Sequence, residues 1–223
     1  MIGIVVALKS EAEALLKNAI NVKDFKVLDK IAYSGNIDNK DFILVISGIG
    51  KVSAALTTQV IIDKFSPEYI LNFGTCGGMN NDVKVLNYYA IEKCCQYDFD
   101  LTDLEDVPLG YIQEYDTVFF PAHTNGLDFL EKSNLASADK FTSKEKDVFT
   151  INSMGCSICD MEGAAIAQVC LSNKMPLVII KGISDVYGSG VESEQFFNNL
   201  KTVGQGFPSI IKKVINNIKF TRR

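Results

Sequence analysis

The chain has 223 residues, 47% hydrophobic and 22% charged, a balance that suits one folded core and excludes general disorder. The net charge of -5 and an isoelectric point near 5.0 argue against nucleic acid or an anionic membrane as a partner. No apolar run reaches the ~20 residues that a membrane-spanning helix needs. We therefore expect a single domain over residues 1–223.

Arginine and cysteine usage narrows the chemistry further. The only arginines are Arg222 and Arg223, so the body of the fold lacks the forked guanidinium donor that phosphate and carboxylate sites favour. The buried part of any substrate should therefore be uncharged. The six cysteines follow no secretory leader, which favours reduced, buried thiols in a cytoplasmic protein. Cys156 and Cys159 lack the second pair expected of a metal site.

Strands and helices are predicted to alternate along the chain, the pattern of an α/β sandwich around a central sheet. Near-continuous apolar runs predict strands buried on both faces. The predicted strands lie at 2–8, 24–37 (a pair), 42–46, 69–73, 85–98 and 134–138, and in the runs that end at Glu162 and Asp185. The first predicted helix follows Ser10, a candidate cap. The other predicted helices lie at 51–65, 125–133, 143–153, 163–173 and 192–218. The last of these has a candidate interruption near 204–208.

Residues 99–124 are predicted to form a long loop or lid, because they contain Pro108, Gly110 and Pro121 and little periodicity. The acidic residues at its start are spaced irregularly for a metal site, so a solvated loop is expected. The only histidine, His123, is a poor candidate for a catalytic base, since no serine or cysteine nucleophile motif accompanies it. A turn containing glycines is also predicted at 187–190.

Carboxylates follow three of the predicted strands. Glu162 and Asp185 come directly after apolar runs, and ligands of open α/β sheets bind outside the carboxyl ends of the strands. This placement indicates acid/base chemistry on a small molecule. Glu11, after the first strand, either complements the dipole of its helix or faces the same crevice, and its position alone favours neither.

Two glycine-rich turns are suited to bringing backbone amides close to a ligand. The first, at 47–53, contains Gly50 and Lys51 but is not a P-loop, because Val45 and Val52 stand where that motif needs glycine and serine or threonine. The second, at 74–78, follows a predicted strand directly.

Six collinear segments resemble the nucleoside phosphorylase/nucleosidase superfamily, and most of all the 5′-methylthioadenosine/S-adenosylhomocysteine nucleosidases. They lie at 3–11, 47–52, 74–78, 138–141, 160–164 and 183–185. The resemblance implies a three-layer α/β/α sandwich around a central mixed β-sheet. It also implies hydrolysis of the N-glycosidic bond of 5′-modified adenosines, with adenine released, neither cofactor nor metal, and a place in methionine salvage. A homodimer is implied as well, in which a lid aligned with Leu104 reaches the neighbouring site.

The resemblance gives each carboxylate a role. Asp185 matches the general acid that reaches N7 of adenine, Glu162 the ligand of both ribose hydroxyls, and Glu11 the base that takes a proton from water. Lys181 stands where the family usually has an arginine near that water. The remaining expected substrate contacts are Met161 against the sugar, Thr75 (a usual serine) with Cys76 and Gly77, Phe141 and the backbone of Thr142 at adenine, Ile49 in the 5′ pocket, and Ser184 beside the acid.

The missing arginines favour water over phosphate as the nucleophile. Phosphorylases that share this resemblance have an arginine two residues before the glycine-rich turn, where this chain has Asn72. A purine nucleoside phosphorylase, a futalosine-type nucleosidase and a catalytically silent nucleoside-binding relative remain as alternatives. The family's aromatic residue some ten positions after Asp185 is replaced by 191–194, with Phe196 and Phe197 a little later, so the preferred 5′ substituent is left open.

Overall fold

The structure is a computed structural model that describes residues 1–188 and 192–220. Its ten strands are β1 (Ile2–Val6), β2 (Ile20–Val27), β3 (Lys30–Ile37), β4 (Lys40–Ile46), β5 (Tyr69–Gly78), β6 (Tyr88–Gln96), β7 (Phe120–Pro121), β8 (Glu131–Ser137), β9 (Ile158–Asp160) and β10 (Leu177–Val186). Its α-helices are α1 (Lys9–Lys17), α2 (Lys51–Phe65), α3 (Glu145–Ser153), α4 (Gly163–Ser172) and α5 (Glu192–Asn217). Part of the turn predicted at 187–190 lies outside the described residues.

The strands form one mixed sheet that is open at one end and closed at the other. The open part runs β2-β3-β4-β1-β5. At β5 the sheet divides, because this strand also pairs with β10 and β9, and β10-β6-β8-β9 complete a ring of five strands with it. The strands β4, β1, β5 and β10 run parallel, so their carboxyl ends lie at the same edge.

Helices cover both faces of the sheet and bury its apolar side chains. On one face, α2 and α4 contribute Ala54, Ile61 and Ile166 to the core, and on the other α1 and α5 contribute Leu15 and Phe207. Each large apolar side chain buried in this way stabilises the fold by about 1.5–3 kcal/mol before conformational entropy is counted. The three-layer α/β/α architecture predicted from the sequence is confirmed.

The helix predicted at 125–133 is wrong. Gly126 has φ of 88°, outside the helical region, and an added Cβ there would clash with the Asn217 carbonyl oxygen. The Asn125 carbonyl accepts the Lys219 N–H at 3.0 Å. This segment therefore holds the end of α5 as a series of turns, and β8 begins at Glu131, earlier than predicted.

Two details of the predicted helices also differ. Ser10 is not a cap, because α1 begins at Lys9 and the N–H of the N-cap residue Leu8 donates to Glu11 Oε2 at 3.0 Å. Helix α5 continues through Pro208 without the interruption considered at 204–208. The Tyr88 hydroxyl donates to the Val203 carbonyl of this helix at 2.6 Å. Among the described residues, no helix is long and apolar enough to cross a membrane.

Candidate active site

A cavity of about 350 Å³ lies where the carboxyl ends of β1, β5 and β10 meet. Glu11 enters it from the first turn of α1, just after β1, while Asp185 comes from the end of β10. Glu162 enters from the junction between β9 and α4. The parallel strands thus bring three carboxylates that are far apart in the sequence into one cavity.

All the predicted site residues except Ser184 and Lys181 line this cavity. Glycine-rich β5 supplies Thr75, Cys76 and Gly77 as one wall, and the segment after β9 supplies Met161 as another. The lining residues that the sequence did not indicate as substrate contacts are Ala7, Leu8, Lys140, Cys159, Asp160 and Phe196.

Three hydrogen bonds hold the buried carboxylate of Glu11. Its Oε1 accepts the Thr75 N–H at 2.7 Å and the Thr75 hydroxyl at 2.8 Å, and its Oε2 accepts the Leu8 N–H. Gly74 makes this approach possible, because a Cβ there would lie 2.8 Å from Oε1. A carboxylate offers about four lone-pair positions, so one on Oε2 remains for a water molecule in the cavity.

Glu162 is the N-cap residue of α4 and is buried at the cavity wall. Its Oε1 accepts the Gly50 N–H at 2.9 Å. Burial raises the pKa of Glu162 to about 7, and the charge of Asp160 acts in the same direction, against the Lys181 ammonium and the Gly50 hydrogen bond. The group therefore changes charge close to neutral pH.

Asp185 is almost completely buried, with 2% of its surface exposed. The Ser184 hydroxyl lies 2.6 Å from Asp185 Oδ1 and 3.1 Å from the Cys76 carbonyl oxygen. A hydroxyl has one hydrogen, so Ser184 can donate to only one of these two oxygens at a time. Ser184 thus contacts the carboxyl group of Asp185 but does not line the cavity.

Asp160, at the cavity lining, forms a buried ion pair with Lys181, which lies outside that lining. Lys181 Nζ lies 2.8 Å from Asp160 Oδ2, and each side chain is 2% exposed. Burial lowers the pKa of Lys181, but the charges of Asp160 and Glu162 outweigh it and leave the pKa above its ordinary value. Asp160 also accepts the Ser137 hydroxyl at 2.5 Å and the Gly163 N–H at 2.9 Å. Lys181 is therefore a charged residue bound to Asp160, outside the cavity lining.

Aromatic and aliphatic side chains form the outer part of the cavity. The rings of Phe141 and Phe196 meet edge to face at 6.0 Å, and Phe141 and Ile49 are about half exposed. Deeper in, the Tyr97 hydroxyl and the Thr142 hydroxyl are 2.5 Å apart. Phe196, eleven positions after Asp185, lines the cavity and provides an aromatic side chain close to the position where the family has one. Val191 lies outside the described residues.

Other candidates from the sequence lie elsewhere. The His123 ring packs against Phe220 at 5.2 Å and lines a different cavity. Cys156 Sγ lies 3.7 Å from Cys95 Sγ, a thiol outside its own sequence motif. Leu104, in the predicted lid, is 77% exposed.

Comparison with known proteins assigns this chain to a class of enzymes. Residues 1–216 match the family described as the Phosphorylase superfamily. A 5′-methylthioadenosine/S-adenosylhomocysteine nucleosidase from Colwellia psychrerythraea is 30% identical, with 97% of this chain and 96% of the relative covered.

Two solved structures from Helicobacter pylori agree closely with the backbone. One is a 5′-methylthioadenosine/S-adenosylhomocysteine nucleosidase in complex with an aminopyrrolopyrimidine joined to a hydroxypyrrolidine that carries a propynylthiomethyl group. It has a TM-score of 0.89 at 26% identity and covers 96% of this chain and 97% of its own. The other is a futalosine hydrolase, with a TM-score of 0.88, 27% identity and the same coverage. The chain belongs to the phosphorylase superfamily and, within it, to the nucleosidases.

Proposed function

We propose that the protein hydrolyses the N-glycosidic bond of 5′-methylthioadenosine and S-adenosylhomocysteine and releases adenine. The observation that carries this proposal is the meeting of Glu11, Glu162 and Asp185 in one cavity, each with different hydrogen-bond partners. Bond cleavage creates a ribosyl cation and an adenine anion, which need a proton donor, a negative group near the sugar and an activated water. Three carboxyl groups in different environments can divide these tasks.

Asp185 is the proposed general acid at N7 of adenine. A general acid must hold its proton when the substrate is bound, and a carboxyl with 2% exposure is poorly solvated as an anion. When the Ser184 hydroxyl donates to the Cys76 carbonyl, its oxygen can accept a hydrogen bond from the protonated carboxyl of Asp185. Phe141 and the Thr142 backbone complete the proposed adenine site.

Glu11 is the proposed base that activates water. Three donors fix its carboxylate and leave one lone pair of Oε2 free to accept a hydrogen from water. Neither Glu11 nor this water then needs to reorient during the reaction, which is how a preorganised site lowers a barrier.

Glu162 is the proposed ligand of the ribose hydroxyls. Its Oε1 is fixed by Gly50, and Oε2 is available to the sugar, beside Met161. Its negative charge also opposes the positive charge that develops on the ribosyl ring. The hydroxypyrrolidine of the Helicobacter pylori ligand is a ring of similar size placed between a purine-like base and an alkylthio group, which supports the same order of subsites.

The lining of the cavity supports water as the nucleophile. Lys140 is the one basic residue among the described lining residues, and its ammonium pairs with Asp147 at 2.7 Å. Asn72, at the position of the phosphorylase arginine, donates to the Val5 carbonyl at 2.9 Å and does not line the cavity. Lys181 is bound to Asp160. A phosphate ion would therefore find little positive charge here.

Futalosine is the second candidate substrate, because the futalosine hydrolase matches this backbone as well as the methylthioadenosine nucleosidases do. The choice depends on the outer cavity, where Ile49, Phe141 and Phe196 offer an apolar surface. An apolar surface favours an uncharged thioether substituent. The methylthio nucleoside is therefore the first choice.

Three further features are part of this proposal. We place the protein in a homodimer, in which the exposed Leu104 segment reaches the partner's cavity. Exposed Val52 and Leu56 on α2 provide apolar surface for such an interface. The six cysteines are free and buried, in keeping with a cytoplasmic enzyme of methionine salvage.

A nucleobase-release panel tests the proposal, with methylthioadenosine, adenosylhomocysteine, futalosine, 5′-deoxyadenosine, adenosine and inosine, each with and without phosphate. We expect phosphate-independent release from the first two substrates. Strict dependence on phosphate would overturn the hydrolytic mechanism, and tight binding without turnover would identify a silent binding protein.

Matched variants test the residue roles. Asp185→Asn and Glu11→Gln should each lower kcat by roughly 100-fold or more, because they remove proton transfer. Glu13→Gln is the control for Glu11→Gln, since Glu13 lies in the same helix but is exposed. Wild-type kcat in Asp185→Asn would refute the assignment of the acid.

A further inference from the structure

The Gly-Lys turn that is not a P-loop makes a set of polar contacts that the proposed reaction does not explain. Lys51 Nζ lies 2.6 Å from Asp98 Oδ1 and donates to Gln96 Oε1 at 2.9 Å. The other oxygen of Asp98 accepts the Asp139 N–H at 3.0 Å. Asp139 Oδ1 in turn accepts the Lys51 N–H at 2.7 Å. These contacts form a closed circuit that begins and ends at Lys51.

The residue next to Lys51 in the chain contacts the carboxylate of Glu162. The residue before Lys51 is Gly50, whose N–H donates to Glu162 Oε1 at 2.9 Å. Gly50 has φ of 100°, a backbone conformation that only glycine adopts readily, and as the N-cap of α2 it provides no side-chain cap. The turn therefore depends on outside contacts to keep the Gly50 N–H aimed at Glu162.

We propose that Lys51 and Asp98 form an ionic clasp that positions the Gly50 N–H, and through it the carboxylate of Glu162. Lys51 is then a positioning residue that touches no substrate. The inference rests on the proposed role of Glu162 as the ribose ligand.

The burial of the pair makes the clasp strong enough for this task. The side chains of Lys51 and Asp98 are 16% and 24% exposed, so the pair is better shielded from solvent than an ordinary surface ion pair. Both Asp98 oxygens and the backbone of Lys51 are engaged at the same time. Such charge-assisted hydrogen bonds fix geometry as well as adding stability.

The clasp has a measurable electrostatic consequence at Glu162. The groups that face this carboxyl are Asp160 and Glu11, whose charges raise its pKa, and Lys181 and the Gly50 N–H, which lower it, all against the larger effect of burial. Loss of the Gly50 hydrogen bond should therefore raise the pKa of Glu162 from about 7.

Two variants with opposite charge changes separate positioning from a simple field effect. Lys51→Met removes a positive charge and Asp98→Asn removes a negative one, and asparagine has one acceptor oxygen where two are needed. If the clasp positions Gly50, both variants raise the pKa of Glu162, by about half a unit. If only the field matters, Lys51→Met raises the pKa and Asp98→Asn lowers it.

The measurement is a ¹³C NMR titration of the free protein with labelled glutamate, in which Glu162→Gln assigns the signal. We also expect kcat/KM at pH 6 to fall roughly threefold in both variants, the equivalent of half a pH unit, and Lys51→Arg to restore it. Lys132→Met is the control, because Lys132 pairs with Glu92 at 3.9 Å on the surface. Thermal melts verify that all variants fold.

The outcomes are distinct. A shift to higher pKa in both clasp variants supports the inference, whereas opposite shifts, or no shift in either, overturn it. Because the titration needs no substrate, it reports on the clasp even if the wild-type protein releases no adenine. A wild-type protein that releases no adenine would refute the proposed function but not the clasp.

Discussion

The buried pair between Lys181 and Asp160 gives the sharpest prediction for stability. In Asp160→Asn the Lys181 ammonium, 2% exposed, loses the negative partner that lies 2.8 Å away. Removing one member of a buried ion pair costs about 3–5 kcal/mol, because the remaining charge loses its nearest partner. Asparagine also replaces two acceptor oxygens with one, although Ser137, Gly163 and Lys181 all approach that carboxylate.

We therefore expect Asp160→Asn to lower the free energy of unfolding by about 4 kcal/mol, which corresponds to a fall in Tm of roughly 10 °C in a chain of this size. Lys181→Met should cost less, since Asp160 keeps the Ser137 hydroxyl and the Gly163 N–H. The double variant should be more stable than Asp160→Asn alone, because it contains no buried charge at position 181.

Urea unfolding followed by far-UV circular dichroism measures these differences. Lys132→Met controls for the loss of an exposed ion pair and should change stability by less than about 1 kcal/mol. The reasoning is refuted if Asp160→Asn unfolds within about 1 kcal/mol of the wild type, or if the double variant is the least stable of the three.

Two further predictions concern activity. Because the pKa of Glu162 is raised to about 7, kcat/KM should fall as the pH drops below that value, approaching tenfold per pH unit, since protonation removes the negative charge that faces the sugar. A pH profile that stays flat from 8 to 5.5 would contradict this. Phe196→Ala should raise KM for methylthioadenosine roughly tenfold with kcat little changed, because Phe196 contacts the outer cavity and not the reacting bond. Phe197→Ala is its control, as Phe197 is 73% exposed and does not line the cavity; equal effects of the two substitutions would contradict the role of Phe196.

The carboxylates could be found from the sequence because parallel strands impose a simple rule. Apolar runs predict β1, β5 and β10 correctly, and side chains that follow such strands gather at one edge of the sheet. This is why Glu11 and Asp185, far apart in the chain, could both be proposed for one cavity. Their separate roles came from the family resemblance and stay predictions.

Contacts between side chains could not be predicted in the same way. The sequence places Lys181 in the middle of one predicted strand and Asp160 near the end of another, but only the pairing of both strands with β5 brings the two side chains together. Phe196 comes to the cavity because α5 begins before it and turns that face toward Phe141. The helix predicted at 125–133 failed because long-range packing against the end of α5 outweighs local propensity.

The ring of strands also governs when the cavity can exist during synthesis. Strand β5 pairs with β10, more than a hundred positions later in the chain, so that edge of β5 stays unpaired until Leu177–Val186 has left the ribosome. An unpaired apolar strand edge is a site for association with other chains. Folding of the nascent chain should therefore finish only after β10 is synthesised, because it depends on pairing between strands distant in the sequence. Until then, chaperones that bind unpaired β-strand edges would have a binding site on β5.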